Sequence, residues 1–111
     1  MKGMRSSAVR DRLLRFGVAH RDRSMDLVSY DIAGSDGSTA YAVSVWIFGR
    51  TVRTEVDGGE KEYHYPGFLE KPGVVWVGQS VFLLTPERSR EFQDYLNGKG
   101  VSYGRLKVRI E

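Results

Sequence analysis

The sequence predicts an α+β fold: an antiparallel β-meander sheet with an N-terminal helix and a late helix packed on one face. Three observations lead there. Val9, Leu13 and Phe16 recur at spacings of four and three ahead of Gly17, which is helical periodicity. From Met25 the pattern changes to strict alternation, and runs of β-formers separated by Gly-rich turns follow. Thr85-Pro86-Glu87 then announces a second helix, and the chain closes on another alternating segment.

In chain order, Ser6 or Ser7 serves as N-cap of a first helix that runs to Phe16 and stops at Gly17. Its Arg10, Arg12 and Arg15 fall off the apolar face and stay wet. Val28, Tyr30 and Ile32 alternate with Ser29 and Asp31, and Gly34 to Ser38 reads as a hairpin loop. A long strand is expected from Ala40 to Val56, kinked or bulged at Gly49. Asp57-Gly58-Gly59 is a turn, and Glu62 to Tyr65 a shorter strand closed by Pro66-Gly67. Val74 to Val77 and Val81 to Leu84 are strands flanking Gly78-Gln79-Ser80. The late helix carries Phe92, Tyr95 and Leu96 and stops at Asn97-Gly98. In the final strand Leu106, Val108 and Ile110 point one way and Arg105, Lys107 and Arg109 the other.

At 111 residues the chain is the size of one domain, with ordinary globular composition. No apolar run approaches the roughly 20 residues that cross a bilayer, and the basic N-terminus lacks the apolar centre of a signal peptide. Without cysteine there is neither a disulfide framework nor a thiolate metal site. These features lead to an expectation of a cytoplasmic protein with no membrane partner. One Asn, two Gln and twelve Arg against five Lys match a thermophile tendency that a GC-rich mesophile would share.

Charge is uneven. Residues 1–24 hold seven basic groups against two acidic ones, net +5, whereas residues 25–111 hold ten against twelve, net −2. A basic segment on a near-neutral body suits a polyanionic partner; a solvated helix face is the plainer reading.

Enzyme readings lack parts. Neither the dinucleotide-binding nor the P-loop glycine pattern occurs, and His20 and His64 are too few for a histidine-rich metal site. Tyr63-His64-Tyr65 could hold a general base, but a lone strand histidine is far more often structural. The expectation is a binding protein with no catalytic residues, metal or cofactor.

The ligand is read from the long strand. Its odd row, Tyr41, Val43, Val45 and Ile47, is expected to meet the helices, leaving Trp46, Phe48 and Arg50 on the open face. Arg105, Lys107 and Arg109 would share that face. Exposed rings beside cations are what a binder of unpaired bases needs, because rings stack on bases while cations follow phosphates. The candidate nucleic-acid-binding residues are Trp46, Phe48, Arg50, Arg53, Tyr63, Tyr65, Trp76, Arg105, Lys107 and Arg109. The expected partner is single-stranded DNA, with RNA as a variant, and an apolar free face implies a homo-oligomer. A protein–protein interaction or assembly subunit using the aromatic sheet face is the alternative.

In size, element order and composition the chain resembles the archaeal ThermoDBP and ThermoDBP-related single-stranded DNA-binding proteins. The likeness rests on the basic helix before Gly17, the meander holding Val45-Trp46-Ile47-Phe48-Gly49-Arg50, and the Thr85-Pro86-Glu87 helix. It implies a cytoplasmic oligomer that binds single-stranded DNA through a cleft with an apolar floor and basic edges. It carries no short motif, so it assigns no site residue. The chain ends soon after its last strand, without the coiled-coil tail of ThermoDBP itself, which favours a shorter relative.

Overall fold

The computed structural model describes the backbone from Lys2 to Glu111 and the side chains from Ala8 onward. The fold class is α+β, with an N-terminal helix, a late helix and a four-stranded antiparallel sheet. The chain forms two compact units: one from the chain up to Gly34 together with Gly73–Glu111, the other from Ser35–Pro72.

The first unit holds α1 (Lys2–Ala19), β1 (Ser24–Asp31), β4 (Val74–Gly78), β5 (Val81–Leu84), α3 (Pro86–Lys99) and β6 (Ser102–Arg109). Its sheet runs in the order β4-β5-β1-β6, every pair antiparallel. Cross-strand partners share a face. Met25 and Leu27 therefore lie with Leu83, Val75, Leu106 and Val108, whereas Asp26, Val28 and Tyr30 lie with Phe82, Leu84, Tyr103, Arg105 and Lys107.

The two helices take opposite faces of this sheet, not the single face expected. Leu13 and Phe16 of α1 pack with Met25, Val75, Leu83, Val108 and Ile110. Phe92 of α3 meets Phe82 and Tyr30 edge-on, with centroids 5.4 and 5.9 Å apart, on the other face. The reason lies in β5. Val81-Phe82-Leu83-Leu84 is apolar at every position, and a strand apolar on both sides needs cover on both. Phe82 and Leu84 are fully buried on one side, and Val75 is 4% exposed on the other.

Helix ends differ from expectation in detail. The first helix begins upstream of Ser6 and Ser7, whose side-chain capping lies outside the described residues, and it runs through Gly17 to Ala19. A methyl group at Gly17 would meet only Ile110, at 3.9 Å, so this glycine does not mark a break. Instead His20 Nδ1 lies 2.8 Å from the Phe16 carbonyl oxygen at the helix end. The late helix starts as expected, with the Thr85 side chain accepting from the Arg88 amide and Pro86 in the first turn. It continues past Asn97-Gly98 and stops at Gly100, which is left-handed at φ 69°.

The second unit corrects the main structural expectation. No long strand spans 40–56. Gly37–Phe48 is a helix, α2, and only Arg50–Val56 is a strand, β2, paired with β3 (Gly59–Tyr65). The stretch expected to be a hairpin loop is the entry to α2: Asp36 is its N-cap, accepting from the Thr39 amide at 2.7 Å and the Ser38 hydroxyl at 3.0 Å. Gly49, read as a bulge, is its C-cap at φ 72°. The alternation at 43, 45 and 47 misleads because Val43 and Ile47 are also four apart. Those two are the buried positions of α2, at 1% and 0% exposure.

A 3-10 turn at Phe68–Glu70 completes this unit. Its entry crosses the end of α2 closely: a Cβ on Gly67 would collide with Gly49 N and Ile47 O, and one on Gly49 with Tyr65 O. Two glycines thus let the end of α2 and the exit of the hairpin touch backbone to backbone.

Candidate nucleic-acid interface

The interface is built by the β2–β3 hairpin. Val56 pairs with Gly59, so the turn is the two-residue Asp57-Gly58, with Gly58 at φ 86°. That turn fixes the register back to Arg50 opposite Tyr65. One face then carries Arg50, Val52 and Thr54 with Lys61, Tyr63 and Tyr65. It has two cations, two phenol rings and no carboxylate. The other face carries Thr51, Arg53 and Glu55 with Glu60, Glu62 and His64.

On the first face Tyr63 is 43% and Tyr65 53% exposed, and the Arg50 guanidinium carbon lies 6.0 Å from the Tyr65 ring centroid. Tyr63 and Tyr65 are two residues apart on β3 and so are neighbours on this face.

The second face is occupied with itself. Arg53 Nε donates to Glu62 Oε2 at 3.0 Å, which neutralises a cation expected to meet phosphate. His64 lies between Thr51 Oγ1, 3.3 Å from Nδ1, and Glu70 Oε2, 2.9 Å from Nε2. Glu70 Oε2 also accepts from the Gly67 amide at 3.0 Å. The Gly67 amide first, and His64 second, hold the Glu70 carboxyl below the usual carboxylate range. These bonds tie the 3-10 turn to the hairpin end.

The remaining expected site residues are elsewhere. Trp46 and Phe48 are on α2, not on a sheet face. The Trp46 ring stacks on Phe68 at 4.6 Å and 17°, where Phe68 is 2% exposed, so this ring takes part in packing the second unit. Phe48 is 37% exposed, one residue before the Gly49 stop. Trp76 is in β4, its indole N–H donating to the Gln79 carbonyl at 2.8 Å.

Arg105 and Lys107 share the face of β1 and β6 on which α3 lies, with their side chains still largely exposed, and both approach the buried Asp26, at 3.5 and 3.8 Å. Arg109 lies 3.6 Å from Asp22. The hairpin face thus brings together Arg50, Tyr63 and Tyr65 from the expected set and adds Lys61. Lys61 was legible in principle, because a two-residue Asp-Gly turn at 57–58 dictates which residues share a face.

Among the described residues no group of three or more His, Cys, Asp or Glu could hold a metal ion, and no helix is long and apolar enough to cross a membrane. The chain matches no protein-family model, no curated protein and no solved structure.

Proposed function

We propose that this chain binds single-stranded nucleic acid, DNA first, with little sequence preference, through the hairpin face of Arg50, Lys61, Tyr63 and Tyr65. One observation carries the reading: the register gathers two exposed rings and two cations on a face without a carboxylate. Stacking on phenol rings is open to every base, because every base has a π-face, and it contributes about 1–3 kcal/mol per base. Arg50 and Lys61 supply the phosphate term. A two-stranded ribbon could also enter a duplex major groove, but the tyrosines have more to gain from bases that are already unstacked.

Kinship with the ThermoDBP-related proteins is part of this proposal. It is supported by the basic first helix and the Thr85-Pro86-Glu87 helix. The segment Val45 to Arg50 no longer supports it, since most of that segment is helical. A cytoplasmic homo-oligomer belongs to the same reading. Leu14 and Val18, one turn apart on α1, are 57% and 67% exposed, which suits contact with a second copy.

The test is a titration with oligo-dT and with duplex DNA of equal length across a salt series. The single strand should bind tighter, with a log–log salt slope near −0.7 for each phosphate contacted. Equal affinity for the duplex would reduce the reading to general polyanion attraction, and absence of binding at low salt would refute it.

A further inference from the structure

The strand β6 forms one edge of the four-stranded sheet, and its properties differ from those of the other edge. At the far side, β4 is five residues long and carries a register shift between Trp76 and Gly78, a bulge of the kind that blunts an edge. By contrast, β6 pairs with β1 through eight consecutive residues with no shift. Regular pairing on one side leaves a regular row of amides and carbonyls on the other.

The two faces beside this edge have distinct chemistry. On the α1 face, Ser29 pairs with Gly104 and Leu27 with Leu106. The two small residues, flanked by the two leucines, leave a hollow of about 350 Å³, and Leu106 is 65% exposed beside it. On the α3 face stand Arg105, Lys107 and Arg109, with side chains 45%, 61% and 67% exposed. Arg105 and Lys107 share one carboxylate, Asp26, at the long distances of 3.5 and 3.8 Å. Arg109 lies 3.6 Å from the exposed Asp22. The edge therefore keeps a positive surplus on one face and an apolar hollow on the other.

We infer that β6 is a docking edge for an extended acidic segment of another protein, which adds as a fifth strand with carboxylates over Arg105, Lys107 and Arg109 and apolar side chains over Gly104 and Leu106. Strand addition supplies main-chain hydrogen bonds for affinity, and alternate side chains for selectivity. A second copy of this chain is a poor occupant. In the antiparallel two-fold pairings that overlap most of β6, centred on Arg105 or Leu106, Arg105 would face its own copy or Lys107, so cations would face cations. The edge belongs to the first unit and the hairpin to the second, and the inference stands whether or not the hairpin face binds nucleic acid.

The experiment uses the full chain and a fluorescein-labelled octapeptide alternating Glu and Val, followed by anisotropy. Binding should be at least about tenfold tighter than that of a block peptide of four Glu and four Val. It should be lost when every peptide amide is N-methylated, although the charge is the same. Gly104→Val, whose added Cβ meets no atom within 4 Å, should fold normally and weaken binding by filling the hollow. Lys107→Ala should weaken it by removing a cation. Equal affinity for the two peptides, or binding that survives methylation, would overturn strand addition. Displacement of the peptide by oligo-dT would overturn the assignment by showing that these cations read phosphate. Slow amide exchange along the outer side of β6 in an unliganded dimer would overturn it in favour of a second copy.

Discussion

Arg50 and Tyr65 stand directly opposite each other at the open end of the β2–β3 hairpin, with the guanidinium carbon 6.0 Å from the ring centroid. Three residues along, Arg53 and Glu62 stand opposite in the same way but on the reverse face, joined by a 3.0 Å ion pair. The same two strands thus use one arginine to hold an aromatic ring and another to neutralise a carboxylate. The pleat decides which cation is offered to a ligand, since an odd separation along a strand changes the face.

Removing the offered cations should change the electrostatic part of binding and little else. Arg50→Ala and Lys61→Ala are each expected to make the log–log salt slope for oligo-dT shallower by about 0.7. Arg53→Ala should leave the slope as it is, because that cation is already paired on the other face. Salt titrations of the three variants check this. An Arg53→Ala effect as large as the others would mean that charge in general, not one face, attracts the strand.

Trp46→Ala should act on stability rather than on affinity. The ring is stacked on the buried Phe68 and itself partly exposed, so truncation is expected to cost about 2–4 kcal/mol, towards the lower end for a buried aromatic ring. Denaturant unfolding measures the loss, and affinity for oligo-dT well below the variant's Tm should match the parent. A variant that melts with the parent but binds weakly would move the stacking site to α2.

The second unit should lose stability in acid. The Asp36 carboxyl is held below its usual range, first by the Thr39 amide, and the Glu70 carboxyl likewise, first by the Gly67 amide. Both ionise more readily folded than unfolded. Their contribution is therefore complete above the ordinary carboxylate range and disappears as the pH falls through the lower folded values. An Asp36→Asn, Glu70→Gln double variant should melt below the parent at neutral pH, and the gap should close towards pH 2. A gap that is constant with pH would show that the charges of these carboxylates do not matter.

Much of the first unit is legible in the sequence. Thr85-Pro86-Glu87 marks a helix start because cap, ring and early carboxylate each suit only that position. The alternation of β6 correctly separates Leu106 and Val108 from Arg105 and Lys107. What failed was the choice between two periods for Ala40 to Phe48. The regular row at 41, 43, 45 and 47 favours period two, although Asp36 and Gly49 frame the segment with a cap and a stop. Opposite placement of the two helices was also available, in the uninterrupted apolar run of β5. The candidate site was legible residue by residue for Arg50, Tyr63 and Tyr65. Their shared face was not, because the strand pairing follows from the turn, and Asp57-Gly58-Gly59 reads as a three-residue turn where only Asp57 and Gly58 form it. The partners of Arg105 and Lys107 had no local signal at all: Asp26 reaches them only because β1 and β6, far apart in sequence, are neighbours in the sheet.

The most direct measurement is an oligo-dT titration of the Tyr63→Ala, Tyr65→Ala double variant at fixed salt. Both rings are exposed on a hairpin face, so the variant should fold with the parent's circular dichroism and Tm. Loss of two stacking partners is expected to weaken binding by at least about 2 kcal/mol, roughly thirtyfold in Kd, with the salt slope unchanged. A double variant that binds oligo-dT as tightly as the parent would contradict the account.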